Sequence, residues 1–357
     1  GLAATLFGLL YGEAFGPTGL VSPLWIRPLD EPERLLVGGL IFGGVLIACA
    51  GGLGLVRALW YTPPPVTSAK VEGDGDAPAL AAGTPLRVLV WNVQFCATRR
   101  HHFFYDGGDA VHATREDVDL ALAELTAVLE EHEPDLVLLQ EIDRGADRTA
   151  GVDQVAALLD AVPHAAWVTT PYWRVPHVPT PSHLHVGKTD MHLATLSRHA
   201  IDGGTRHQLA LLDEPFFRRA FNLRRAILEA RLPGAGGAPG LVVLNTHLSA
   251  FSRGDGTLGR QMDQLEERMD ALDQEGIPWI LGGDLNALPP GDDPSRLGDD
   301  GALYADSTTP IQRLFDAGRR SAFSLSRLQD EPETARSYLP FGAEEPDRTL
   351  DYLFVSD

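Results

Sequence analysis

The chain has 357 residues, enough for about two domains at the usual 150 or so residues each. A hydrophobic fraction of 44% and a charged fraction of 22% exclude global disorder, and two cysteines, Cys49 and Cys96, exclude a disulfide framework or a zinc-ribbon spacing. The net charge of −20 repels polyanions at long range and disfavours tight non-specific nucleic-acid binding, while a bound divalent cation can still neutralise a local site.

The chain opens at Gly1 inside an apolar stretch, Gly1–Tyr11, which Glu13 interrupts; we expect there the remnant of a membrane helix whose start is missing. From Leu35 to Val56 no residue is charged. Those 22 positions span about 33 Å as a helix, enough to cross a bilayer core, so one transmembrane helix is expected over 35–56 and membrane anchoring with it. The run carries seven glycines, including the GxxxG pair Gly39 and Gly43, which suits close packing of membrane helices better than a soluble core helix. It is too long, and lies too far from the start, for a signal peptide. Arg27 and Arg34 precede it and Arg57 and Lys70 follow, so the charge rule leaves the orientation open. The words Phe7-Gly8-Leu9-Leu10-Tyr11-Gly12-Glu13 and Pro28-Leu29-Asp30-Glu31-Pro32 resemble the membrane part of the V-type ATPase subunit I family. That resemblance is confined to residues 1–60 and implies nothing about proton pumping by the whole chain.

Residues 61–85 read as a linker, stiffened by Pro63-Pro64-Pro65 and solvated by Glu72, Asp74 and Asp76. Residues 86–357 form the soluble domain, with 25 basic against 42 acidic side chains. Within it Leu86–Trp91 predicts a strand, Asp117–Glu131 an amphipathic helix and Leu136–Gln140 a buried strand. Pro171–Asp190, with four prolines and His177, His183 and His185, reads as a long loop that either lies on the surface or recognises substrate. Further strands are expected at Leu193–Ser197, Ala226–Leu232, Leu241–Leu244, Trp279–Leu281 and Tyr352–Val355, with a helix over Leu258–Glu275 marked by the stripe Leu258, Met262, Leu265, Met269, Leu272. Alternation of this kind argues for α/β layers.

Polar residues gather where these strands end. The order is Trp91-Asn92-Val93, Gln140-Glu141-Ile142-Asp143, Asn245-Thr246-His247-Leu248-Ser249, Gly282-Gly283-Asp284-Leu285-Asn286 and Leu350-Asp351-Tyr352. Each alone is explained by a turn-forming Asn or Asp, or by a hydrogen-bonded structural His. Together, in this order, they resemble the endonuclease/exonuclease/phosphatase superfamily, the DNase I-like phosphoesterases. The match runs from about Arg87 onwards and is carried above all by Leu139-Gln140-Glu141, Asn245-Thr246-His247-Leu248 and Gly283-Asp284-Leu285-Asn286.

The resemblance implies a four-layer α/β/β/α sandwich with an active site at one edge of two packed sheets. It implies Glu141 as ligand of Mg²⁺ or Mn²⁺, with Asn92 completing or orienting that metal site. Asp284 is then expected to orient and deprotonate the attacking water, with Asn286 beside it as a phosphate or metal contact. His247 corresponds to the His that hydrogen-bonds the scissile phosphate or assists the leaving group, and Asp351 to the Asp that supports the active-site His or a second metal. Hydrolysis of a phosphate ester requires these parts: charge neutralisation, a positioned water and help for the leaving oxygen. The superfamily's terminal Ser-Asp-His motif has no counterpart, since Ser356-Asp357 follows Asp351 too closely; we expect a strand end there and a truncated chain.

The function expected is metal-dependent phosphoester hydrolysis at a membrane. A phosphodiester or phosphomonoester on a lipid head group or small molecule is favoured, because the acidic domain lacks a basic groove. A nuclease and a catalytically dead binding module of the same fold are the alternatives. Arg144 and Arg148 either hold a substrate phosphate or are solvated. His101-His102 can flank the cleft. His183-x-His185 lacks a third ligand for zinc, and Asp292, Asp293, Asp299 and Asp300 lack EF-hand spacing.

Overall fold

The computed structural model describes residues 31–73, 75–250, 255–304 and 308–356. The chain divides into two compact units, Gly1–Trp60 and Tyr61–Asp357. The described part of the first is a single helix, α1 (Glu31–Leu59). Its window Leu35–Gly52 has a mean hydropathy of 2.2 and is unburied, so it is long and apolar enough to cross a membrane. The partial helix expected before it, and most of the stretch that resembles subunit I, lie outside the described residues.

The second unit is built on two sheets. Its strands are β1 (Val66–Ser68), β2 (Val71–Gly73), β3 (Val88–Asn92), β4 (Leu136–Asp143), β5 (Ala166–Val178), β6 (Gly187–Ser197), β7 (Gly203–Gln208), β8 (Ala226–Leu232), β9 (Leu241–His247), β10 (Trp279–Asp284), β11 (Arg320–Ser321) and β12 (Asp351–Val355). One sheet has the order β1-β7-β8-β9-β10-β12-β11, the other β2-β5-β6-β4-β3. Only β3 with β4 and β9 with β10 pair in parallel among these ladders.

Alternation along the strands sorts the core into layers, because successive strand side chains point to opposite faces. Leu136 and Leu138 of β4 join Leu228, Ala230, Val243 and Ile280 of the other sheet in the cluster between the sheets. Val137 and Leu139 point the other way, onto α2 (Arg115–His132) and α3 (Gln154–Ala161) through Val118, Leu122, Leu125 and Leu158. On the far face, Val242, Leu244 and Leu281 pack under α5 (Thr257–Glu275) and α6 (Thr308–Asp316); between α3 and α5 lies the short α4 (Phe216–Phe221). The expected stripe of α5, Leu258, Met262, Leu265, Met269 and Leu272, is wholly buried there. The result is the expected α/β/β/α sandwich. Boundaries are set by local chemistry: Thr114 accepts a hydrogen bond from the Asp117 amide at the start of α2, and Gly276 ends α5 in the left-handed region.

Two expectations need correction. Residues 61–85 are not a free linker, because β1 pairs with β7 and β2 with β5, one on each sheet. The β-branched residues Val66, Thr67 and Val71 outweigh the flanking prolines and charges. Pro171–Asp190 is likewise no loop but the arms and turn of the β5–β6 hairpin, in register from Ala166↔Ser197 to Val178↔Gly187. Pro171 and Pro176 sit within β5, where shifts between Pro171 and Trp173 and between Val175 and Val178 absorb them. After β12, Ser356 donates its amide to the Trp279 carbonyl at 3.0 Å.

Candidate active site

Strand register places the polar residues in one row. His247 of β9 lies opposite Asp284 of β10, and Asp351 of β12 lies opposite Asp284 on its other side. In the second sheet Asn92 of β3 lies opposite Gln140 of β4. The two sheets can approach here because β10 carries glycine: a Cβ on Gly282 would meet Val90 Cγ2 at 2.7 Å and Leu138 Cδ2 at 2.9 Å. Gly282 is thus a packing requirement that lets Asn92 come to Asp284 across the gap.

Glu141 reaches the same edge through a break in β4. The pairing with β6 shifts between Leu139 and Ile142, and Glu141 has φ 58°, in the left-handed region that side chains seldom occupy. Gln140 stays in the core, where its Nε2 donates to Asn245 Oδ1 at 2.7 Å, and Asn245 Nδ2 donates to the carbonyls of Leu139 and Ala194. Gln140 and Asn245 therefore staple the two sheets together, while their neighbours Glu141 and His247 carry the chemistry. Asn286 also has positive φ, 49°, which Asn tolerates well.

The hydrogen bonds form one network. Asn92 Nδ2 donates to Asp284 Oδ2 at 2.9 Å and to Glu141 Oε1 at 3.3 Å, and Asn92 Oδ1 accepts from the Gln94 amide. Asp284 Oδ1 accepts from the Asn286 amide at 2.9 Å, and Asn286 Nδ2 donates to the Leu248 carbonyl. His247 Nε2 lies 3.5 Å from Asp284 Oδ2, and its Nδ1 is 3.1 Å from the Tyr172 hydroxyl. That hydroxyl oxygen also accepts from the Glu141 amide at 3.0 Å. Burial, with the charge of Glu141, keeps Tyr172 protonated. Its one hydrogen is then directed to His247 Nδ1, leaving the imidazole hydrogen on Nε2, toward Asp284.

Electrostatics follow from crowding acids in a dry place. Burial, then the charges of Asp351 and Glu141, push the Asp284 carboxyl well above the usual carboxylate range. Asp351 is raised too, by burial and by Glu141. Burial and the charge of Arg225 hold His247 well below the ordinary imidazole value, so it is neutral. Among the described residues no three His, Cys, Asp or Glu side chains form a ready cage for a metal. Mg²⁺ does not require one, since it usually keeps several waters and takes one or two carboxylates. The residues here fit such an ion: their donors are hard oxygens, the acids repel one another, and Asp351 Oδ1 is buried without a hydrogen-bond partner.

Residues 89–357 match the model of the Endonuclease/Exonuclease/phosphatase family, and the chain belongs to that family. Its members are hydrolases of phosphate esters. Among solved structures, it is similar to an endonuclease/exonuclease/phosphatase from Beutenbergia cavernae at 22% identity and TM-score 0.50, over 76% of this chain and 64% of that one. The chain thus spans under two thirds of the length of that relative. It is also similar to the human Nocturnin catalytic domain with bound sulfate, at 16% identity and TM-score 0.45 over 81% and 85% of the two chains. A third is the Bacteroides thetaiotaomicron mannosyl-6-phosphatase, at 13% and 0.45 over 76% and 85%. None of the curated proteins matches.

The structure brings together all six residues singled out in the sequence, Asn92, Glu141, His247, Asp284, Asn286 and Asp351. It withdraws the two arginines. Arg148 is buried, paired with both oxygens of Asp143 at 2.9 Å and set over the Phe95 ring, and Arg144 is paired with Asp153. Of the histidines, His101 binds Asp117, His102 stacks on Phe341, and His177 and His185 hydrogen-bond each other at 2.9 Å. In the acidic loop Asp292 pairs with Arg296, Asp293 caps a short helix and Asp300 pairs with Arg348. Tyr172 was missed as a site residue. Its signal was the buried alternation Ala166, Val168, Thr170, Tyr172, masked by Pro171.

Proposed function

We propose that this domain hydrolyses a phosphate ester by direct attack of water. The observation that carries the reading is the junction at Asn92, whose amide joins Glu141 and Asp284 beside neutral His247. Glu141, with Asp351 or Asp284, would hold Mg²⁺ or Mn²⁺, which supplies charge neutralisation at the phosphoryl oxygens. Asp284 orients the water and takes its proton, a task suited to a carboxyl whose basicity is raised. As the water oxygen bonds to phosphorus, the ester P–O bond breaks and the leaving oxygen takes a proton from solvent. His247, neutral with its hydrogen on Nε2, donates a hydrogen bond to a phosphoryl oxygen rather than delivering a proton. Asn92 orients the two carboxylates, and Asn286 braces Asp284.

The substrate proposed is a lipid head group or a small molecule. Duplex nucleic acid calls for a groove lined with exposed cations, whereas the net charge is −20 and Arg144, Arg148 and Arg348 are each paired with carboxylates. The test is phosphate release against Mg²⁺ concentration by the protein and by Glu141→Gln. Loss of Mg²⁺-dependent release with thermal stability retained supports the assignment; wild-type release from the variant removes it.

A further inference from the structure

We infer that Arg225 binds the substrate phosphoryl group, an inference that rests on the phosphoesterase reading and adds a recognition residue to it. Arg225 immediately precedes β8, whose Ile227 pairs with Thr246, so it stands at the same end of the sheet as His247. Its carbonyl is fixed by the Leu209 amide at 3.0 Å and by Gln208 Nε2 at 2.9 Å. The guanidinium lies 5.5 Å over the ring of Tyr172, the residue whose hydroxyl meets His247.

Its Nη1 is buried and has no hydrogen-bond partner, and no ion pair is formed by Arg225 among the described residues. Arg206 nearby also has a buried, unpartnered Nη1, but its other nitrogens donate to the Pro171 and Arg224 carbonyls and to Gln208. Arg144, Arg148 and Arg348 each have a carboxylate, and the site itself is rich in them, yet none lies within ion-pair distance of Arg225. Arg225 is half-buried, and a buried donor such as its Nη1 is unfavourable until a ligand completes it. A phosphoryl group seated beside Asp284 and His247 presents the acceptor it lacks. A guanidinium suits it because its planar fork donates to two phosphoryl oxygens at once. The reading also moves phosphate recognition from the two arginines after Glu141 to one that lies far from it in sequence.

The experiment compares the protein with Arg225→Met, which keeps the stem but loses the charge, and Arg225→Lys, which keeps a single point charge. Binding of inorganic phosphate is measured by calorimetry with and without Mg²⁺, alongside steady-state kinetics and the thermal midpoint. Arg225→Met is expected to weaken phosphate binding about tenfold or more and to lower kcat/KM by about 10²–10³-fold, with Arg225→Lys intermediate. Unchanged phosphate affinity in Arg225→Met overturns the inference, and a lowered thermal midpoint with that affinity unchanged assigns Arg225 a packing role only. The two readings fail separately. Arg225-dependent phosphate binding by a protein that hydrolyses no ester removes the phosphoesterase reading alone; hydrolysis that tolerates Arg225→Met removes the Arg225 inference alone.

Discussion

The Tyr172 hydroxyl decides which nitrogen of His247 carries hydrogen, and that choice sets what the imidazole can do. It accepts from the Glu141 amide and donates to Nδ1, tying the bulge that aims Glu141 to the ring that faces Asp284. Tyr172→Phe keeps the packing and removes both bonds. A neutral hydrogen bond is worth about 0.5–1.5 kcal/mol to stability, so the thermal midpoint is expected to fall by a few degrees and kcat by up to about tenfold, with KM little changed. An unaltered kcat would show that the ring needs no such partner. At this scale much was legible in the sequence, because Glu141, His247 and Asp284 lie towards the ends of apolar strands and Asp351 begins one, each in a distinctive word. Tyr172 and Arg225 were not, because their significance comes from partners on other strands, His247 and Tyr172 respectively.

Among the elements, Glu229 shows how charge can hold a layered fold. It is buried on β8 and joins His207 of β7, Arg231 of its own strand and Arg268 of α5. Burial alone would raise its carboxyl, but the hydrogen bonds of His207 and Arg268 and the charges of Arg268 and Arg231 bring it down to about 2. A depressed acid adds stability that is complete above its unfolded value near 4.5 and is lost as pH falls through about 2. The contribution at neutral pH is roughly 3 kcal/mol. Thermal midpoints of the protein and Glu229→Gln should therefore differ most above pH 5 and converge in acid; a constant gap across that range would contradict the account. The long elements were readable from periodicity, α5 from its buried stripe and β8 from its apolar run. The short edge strands β1 and β2 were not, because three residues carry too little pattern and their pairing with β7 and β5 depends on distant chain.

For the whole molecule, the apolar helix α1 and the acidic sandwich differ in surface chemistry. We expect α1 to anchor the protein in a bilayer, since Leu35–Gly52 exposes large apolar side chains such as Leu35, Leu40 and Ile47. Alkaline carbonate washing should leave the protein in the membrane fraction, whereas a chain starting near Tyr61 should be recovered in solution. Release of the longer chain by carbonate would make α1 a helix for protein contacts instead. The sandwich order was readable because the family's words lie in sequence on its strands. Close approach of the sheets was not, since it rests on what Gly282 leaves open between Val90 and Leu138.

The central claim is that the acids around Asp284 hydrolyse a phosphate ester with Asp284 as the base. Its most direct test is phosphate release in Mg²⁺ from lipid, small-molecule and nucleic-acid esters, by the protein and by Asp284→Asn. The account predicts release from at least one lipid or small-molecule ester and, because general-base catalysis is worth about 10²–10⁴-fold, a fall of that order in Asp284→Asn. Equal turnover by the folded variant, or release from none of the esters, would contradict it.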